Sequence, residues 1–295
     1  MRVVVLFPGA LGDLCLLAPA LAALVADGAR VTLSVQRSLG SVAALLLPAV
    51  EIGPPLDGTF FATLFADEPD PELLRWLRAG DRVHTWLGRG DPDGRVDATL
   101  RASGVAVVWH VVPREDGDRH AGDDYTAAVE LRGPVAPIHV RAPVVPNVVL
   151  PWHVSEARRV LLHPGSGGRR KRWDARGFLL VIETLRVAGR EPIVLLGPAE
   201  HGEADLWRRS GVGVIDDIDL VAAAALIASA PVWIGNDSGM SHLAAALGRR
   251  GVVLFGATRA VRWRPRGGRL EPVETAGRTL DDVARAVSAH ALTLA

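Results

Sequence analysis

Lysine is almost missing from this sequence: of 33 basic residues, 32 are arginine and Lys171 stands alone. Cysteine is as scarce, with Cys15 the one thiol, so no internal disulfide can form and a Cys-based zinc site is excluded. A reducing compartment fits. Net charge is zero over 295 residues, which argues against a nucleic-acid binder, since such a protein carries a basic excess interleaved with aromatics. No stretch has the roughly 18 uninterrupted apolar residues of a membrane span. The first 25 residues look superficially like a secretion signal, but Pro8, Gly9, Gly12 and Asp13 break the apolar run. A cytoplasmic protein is the expectation, with at most peripheral contact to a membrane's inner face.

Low-complexity tracts are also lacking, and 49% of the residues are hydrophobic. Such a chain can bury sizeable cores, and its length suggests two domains at about 150 residues each. Charge divides unevenly between them. Residues 1–150 hold 13 arginines against 18 acids, net −5; residues 151–295 hold 20 basic residues against 15 acids, net +5. An anionic ligand would prefer the second half.

Short apolar runs alternate with helix-patterned stretches throughout. "RVVVLF" leads into a helix from Asp13 to about Ala26 and "RVTLSV" into one near Ser41 to Leu47; "DRVHTWL" and "VAVVWHVV" follow. "APVVPNVVLPWHVSEA" reads as a linker, after which "RVLLHPG", "EPIVLLG", "GVGVID", "APVWIG" and "RGVVLFG" restart the pattern. Continuous apolar strands alternating with helices predict an α/β chain with parallel sheets covered on both faces. Thr279 should cap a final packed helix with Asp281 and Asp282 in its first turn.

In open parallel sheets ligands lie beyond the carboxyl ends of the strands, so the strand-to-helix turns are where chemistry is expected. The first turn, "FPGALGD", offers Gly9 and Gly12 for a sharp bend and places Asp13 at a helix start, either as a cap or first-turn acid or as a carboxylate kept ionised to accept a proton. The second, "HPGSGGRRKRW", exposes amides around Ser166 and Gly167 beside Lys171. It is neither a P-loop nor a dinucleotide fingerprint, because the glycine spacing fails both. The third, "GNDSGMSH", sets Ser238 and His242 on one helical face: an ordinary capping turn above a core histidine, or a pyrophosphate cradle of amides, hydroxyl and imidazole. The fourth, from Thr258 to Arg269, carries five arginines and no acid; a solvated loop is the default and a flap over an anion the alternative. Cys15, one turn inside a helix of alanines and leucines, reads as a small buried hydrophobe.

Together "PGALGDLCLLAPAL", "HPGSGGRRKRW", "LLGPAE" and "GNDSGMSHLAAALG" followed by "VVLFGAT" resemble the successive motifs of glycosyltransferase family 9, the ADP-heptose:lipopolysaccharide heptosyltransferases and their relatives. The resemblance covers the second half well and residues 50–150 weakly. It implies a GT-B architecture, two Rossmann-like domains with parallel sheets facing across a cleft: 1–150 for the acceptor, 151–295 for the nucleotide sugar. It implies an inverting, metal-independent transferase moving a sugar, heptose first, from a nucleotide diphosphate donor, ADP first, to the hydroxyl of a glycan or glycolipid acceptor, as in lipopolysaccharide core or other surface glycan synthesis. No cofactor is expected. The resemblance assigns the general base to Asp13, on a loop with Gly9 and Gly12. Donor contacts fall to Ser166, Gly167, Lys171, Gly197, Asp237, Ser238, Gly239 and His242, with Lys171 also aiding departure of the diphosphate. Recognition of adenine would rest largely on backbone and apolar contacts around Gly197 and Asp219. The family's Gly-Pro-Thr is here Gly256, Ala257, Thr258, and the acidic first half departs from what an anionic lipopolysaccharide core would select. Two other readings stand beside this one: a nucleotide-sugar-binding protein without catalysis, and a GT-B-shaped sugar-nucleotide epimerase, which would need no acceptor.

Overall fold

A computed structural model describes residues 1–88, 91–131, 135–138, 140–141 and 155–294, apart from the side chain of His201. The chain divides into two compact units, Met1–Gly117 with Ala121–Ile138, and Asp118–His120 with His139–Ala295. Most of the linker read from the sequence, residues 142–154, lies outside the described residues.

In the first unit β1 (Arg2–Leu6), β2 (Arg30–Ser34), β3 (Glu51–Ile52), β4 (Arg82–Thr85) and β5 (Ala106–Trp109) form one sheet in the order β3-β2-β1-β4-β5. Every pairing is parallel. In the second unit β6 (Arg159–His163), β7 (Glu191–Leu195), β8 (Gly213–Ile215), β9 (Val232–Asn236), β10 (Arg250–Phe255) and β11 (Arg269–Glu274) give the order β11-β10-β9-β6-β7-β8, again all parallel. Both are doubly wound orders: the chain steps outward from a central strand, returns, and steps outward the other way. The reversal creates a crevice between β1 and β4 in one sheet and between β6 and β9 in the other, and it is at such crevices that open α/β sheets hold ligands.

The sequences of the strands explain their burial. "VVVL" in β1 and "VLL" in β6 point β-branched and leucine side chains to both faces, and all of these residues are buried. One core of the first unit gathers Val4, Leu6, Phe61, Leu64, Leu73 and Leu77. The larger core of the second runs from Val160 and Leu162 through Phe178, Ile182 and Trp207 to Val283 and Val287. Gly251 in β10 lies close against β9: at φ 146° a Cβ would lie 1.8 Å from the Trp233 carbonyl oxygen, so only glycine fits.

The helix after β1 spans Leu11–Ala26, two residues earlier than the periodicity suggested, because Ala10 in extended conformation serves as N-cap with no side-chain bond. Asp13 is therefore a first-turn acid and not the cap. The helix after β2 runs Gly40–Leu46. Thr279 does cap the final helix, Leu280–Leu294, its hydroxyl accepting from the Asp282 amide at 3.1 Å. No helix among the described residues is long and apolar enough to cross a membrane.

Candidate functional site

In the second unit the expected turns converge on one carboxylate. Strand β9 ends at Asn236, and Asp237 follows immediately, its backbone amide still bonded to the Leu254 carbonyl of β10. Ser238 then caps the helix Gly239–Ala246 with its side chain toward the Ser241 amide. Asp237 is buried, at 3% exposure, which a bare carboxylate could not tolerate without partners. Those partners come from three strand ends. Lys171, from the loop after β6, places Nζ 2.9 Å from Asp237 Oδ2. Thr258, from the loop after β10, donates its hydroxyl to the same oxygen at 2.6 Å. His242, one turn into the helix, brings Nε2 to 4.0 Å from Oδ1. Ser166 adds a bond from its hydroxyl to the Asp237 carbonyl at 2.8 Å.

The loop between β6 and the helix Ala175–Val187 is fastened on both sides. Asn236 donates to the Pro164 carbonyl at 2.7 Å and accepts from the Trp173 amide at 3.0 Å, so one buried amide pins both ends of the glycine-rich segment. Gly165 sits against Glu200, where a Cβ would come within 2.3 Å of the carboxyl carbon. That carboxylate takes Arg172 at 2.6 Å and the Gly197 amide at 3.1 Å, while Arg172 also reaches Glu203 at 2.8 Å. Gly197 thus spends its amide within the loop framework. Gly167, by contrast, has open space around it, and Gly239 opens the helix behind Ser238.

The buried imidazoles here are neutral at ordinary pH. Burial pushes His242 down to about 4, the attraction of Asp237 only partly opposing it, with His120 and Lys171 adding to the fall. Burial likewise holds His163 at about 4 while its Nδ1 bonds the Leu195 carbonyl at 2.9 Å. His242 Nδ1 is buried with no hydrogen-bond partner among the described residues. An unmatched buried polar atom costs about 1–3 kcal/mol, a strain more easily understood at a ligand site than in a plain core. Lysine suits the same place: of its three N–H donors one is given to Asp237, and the side chain remains 30% exposed.

Asp219, around which recognition of the base was expected, caps the helix Leu220–Ser229, its carboxylate accepting from the Val221 and Ala222 amides at 2.8 Å. The arginine-rich segment after β10 is not simply a solvated loop. It contains the short helix Ala260–Trp263, and Arg262 is 1% exposed, donating to the Arg119 carbonyl. His120 bonds the Arg264 carbonyl at 2.8 Å, so residues 118–120 are stitched to this segment of the second unit.

In the first unit Asp13 stands half-buried after β1. Tyr125, from the helix Ala121–Ala128, donates its hydroxyl to Asp13 Oδ1 at 3.0 Å. Cys15 is buried, and burial together with the nearby Asp13 charge pushes its thiol up to about 12, which removes it from any nucleophilic role at neutral pH. Tyr125 and Thr258 are the partners that sequence reasoning did not single out. A signal existed for the first: it is the chain's one tyrosine, as conspicuous as its one lysine. Thr258 could be found only as the hydroxyl ending the "FGAT" turn.

Residues 142–285 match the family model for glycosyltransferase family 9 (heptosyltransferase). That stretch belongs to glycosyltransferase family 9. It contains the loop of Ser166 and Lys171, the turn of Asp237 and His242, and Thr258. A curated relative, lipopolysaccharide heptosyltransferase 3 of Escherichia coli, is 30% identical over 113 residues, 36% of this chain, and the match spans only a third (33%) of that relative's length. Among solved structures, E. coli ADP-heptose lipopolysaccharide heptosyltransferase II aligns at TM-score 0.74 with 17% identity over 99% of both chains. E. coli heptosyltransferase WaaC, solved with ADP, aligns at 0.68 with 18% identity over 100% of both. At such identities the likeness is one of fold, and the fold of this chain is that of the GT-B heptosyltransferases.

Proposed function

We propose that this protein is an inverting glycosyltransferase that moves heptose from ADP-heptose to an acceptor hydroxyl in the synthesis of a lipopolysaccharide core or related surface glycan. The observation that carries the reading is the meeting of Lys171, Thr258, Ser166 and His242 around the buried Asp237 at the carboxyl ends of β6, β9 and β10. This is the crevice of the second sheet, and it lies within the family 9 stretch. The ADP of the WaaC structure and the heptosyltransferase relatives favour the donor named.

The roles follow from charge. Asp237 orients Lys171 and Thr258, so that the ammonium is already desolvated on one side and aimed before a diphosphate arrives. Amides at the Ser238–Gly239 helix start, with the helix dipole, add positive potential to the same turn. As the bond from the anomeric carbon to the diphosphate breaks, negative charge grows on the leaving oxygen, and these preplaced donors stabilise it. Neutral His242 offers a hydrogen bond without altering the charge. In the first unit Asp13 takes the proton from the acceptor hydroxyl as that oxygen attacks the anomeric carbon from the opposite side, which inverts the configuration. The first unit therefore carries the acceptor and the second the donor. With charge neutralised by Lys171 and backbone dipoles, the scheme needs no metal, and the work takes place on the cytoplasmic side of the membrane.

The test is incubation with ADP-heptose and heptose-free lipopolysaccharide core in the presence of a metal chelator. The reading expects ADP and a heptosylated product of anomeric configuration opposite to the donor's. Conversion of the donor with no acceptor present would instead favour the epimerase, and tight donor binding without turnover would favour a binding protein.

A further inference from the structure

We propose that Tyr125 is the positioning residue of Asp13, locking the carboxylate into one orientation and holding it ionised for proton abstraction. The inference rests on the general-base reading of Asp13 and adds to it a residue that none of the sequence motifs contains.

Burial first requires a reason for the phenol. Tyr125 is fully buried, at 0% exposure, within a cluster of aromatic rings: Phe7 meets it edge-on at 5.7 Å and 76°, and Trp86 lies at 5.9 Å and 55°. Phe7 and Trp86 also contact each other at 5.4 Å and 84°. A tyrosine so held has little freedom, and its hydroxyl emerges at one point, 3.0 Å from Asp13 Oδ1. Phenylalanine would fill the same apolar cluster without the cost of burying a hydroxyl. The oxygen is what distinguishes tyrosine here, and it donates to the Asp13 carboxylate.

The consequence for Asp13 is geometric and electrostatic. The last torsion of an aspartate is broad and soft, so a carboxylate in the first turn of a helix can swivel unless something fixes it. One bond from a rigid donor to Oδ1 fixes that torsion and thereby the direction of Oδ2. A proton-accepting oxygen placed wrongly by about 1 Å can lose on the order of a hundredfold in rate. A hydrogen bond donated to the charged form also favours that form, so the group stays ready as a base at neutral pH. Three elements supply the arrangement: β1 runs into Phe7, β4 into Trp86, and the helix Ala121–Ala128 packs on the helix Leu11–Ala26 and delivers the phenol.

Tyr125→Phe tests this with two readouts. In protein labelled with 13C at the aspartate carboxyls, the Asp13 resonance is assigned by its loss in Asp13→Asn, and its titration is followed in the wild-type and Tyr125→Phe proteins. The midpoint should move to higher pH in the variant; an unchanged midpoint overturns the proposal. With ADP-heptose and heptose-free lipopolysaccharide core, kcat should fall about tenfold while KM for the donor stays within about twofold, and the acidic limb of the rate profile should shift in the same direction as the resonance. A loss confined to stability, with the limb unmoved, makes Tyr125 a core residue only. Should Asp13→Asn retain full transfer, the general-base reading fails by itself, whereas a shifted resonance would still establish the contact.

Discussion

Two strand-to-helix turns, one in each unit, carry an aspartate, and their surroundings differ. Asp13 lies in the first turn of its helix and receives a phenol from a rigid aromatic cluster. Asp237 precedes its helix and is buried under an ammonium at 2.9 Å and a hydroxyl at 2.6 Å on one oxygen, with an imidazole near the other. A carboxylate bonded to a lysine is a poor base, because taking up a proton would break the ion pair. It is a good bracket, since it fixes where the positive charge sits. A carboxylate bonded to a neutral phenol can take the proton. On the proposed mechanism, the same residue type in the same kind of turn takes two tasks from its neighbours, proton acceptance in one unit and aiming of donors in the other.

That contrast can be broken from the first unit. Asp13→Asn keeps the size of the side chain and its capacity to accept from Tyr125, yet has no useful basicity. Transfer should fall by about 10²–10⁴-fold with the thermal midpoint nearly unchanged. Full activity in a steady-state assay would mean that the acid in this turn is structural. In the second unit, Lys171→Arg preserves charge but replaces a compact ammonium by a wide planar fork. Guanidinium cannot keep the single short bond to Asp237 Oδ2 and still present the same donor to one phosphate. A loss of about tenfold or more in kcat/KM is expected while Tm moves by only a few degrees, and parallel kinetic and melting measurements would separate the two effects. Kinetics equal to wild type would return the lone lysine to the status of one basic side chain among many.

Acid should weaken the fold of both units. Burial holds His163 and His242 of the second unit, and His84 of the first, down at about 4 against an ordinary 6.5. Between those values the unfolded chain binds protons that the folded one refuses, so the stability these neutral rings allow is present above about 6.5 and is lost as pH falls toward 4. Denaturation midpoints taken from pH 7 to 4 should decline, and His163→Gln should flatten the decline; an equally steep fall in the variant would rule out the ring as its source.

Much of this is legible in the amino-acid sequence. Continuous apolar strands between helices implied parallel sheets, and the glycine-rich turns marked where strands β1, β6 and β9 hand over to helices, because glycine and a helix-starting Ser or Asp leave a local signature. Partners brought together from distant strand ends leave none. That Lys171 would meet Asp237, 66 positions later, or that Tyr125 would reach Asp13 across 112, depends on strand order and not on spacing along the chain. Asp219 follows the local rule, an acid before "LVAAAALIA" serving as N-cap. Arg262 was hidden by composition, since a run of arginines reads as solvated even when one of them is interior.

The proposed function requires that the turn built around Asp237 hold a nucleotide diphosphate. Thermal-shift titration of the wild-type protein and of Lys171→Met against ADP, UDP, GDP, CMP and dTDP tests this directly. ADP at about a hundred times its dissociation constant should add about 2.7 kcal/mol of stability to the wild type, with a smaller shift in the variant. No shift with any nucleotide, or a shift identical in both proteins, would contradict it.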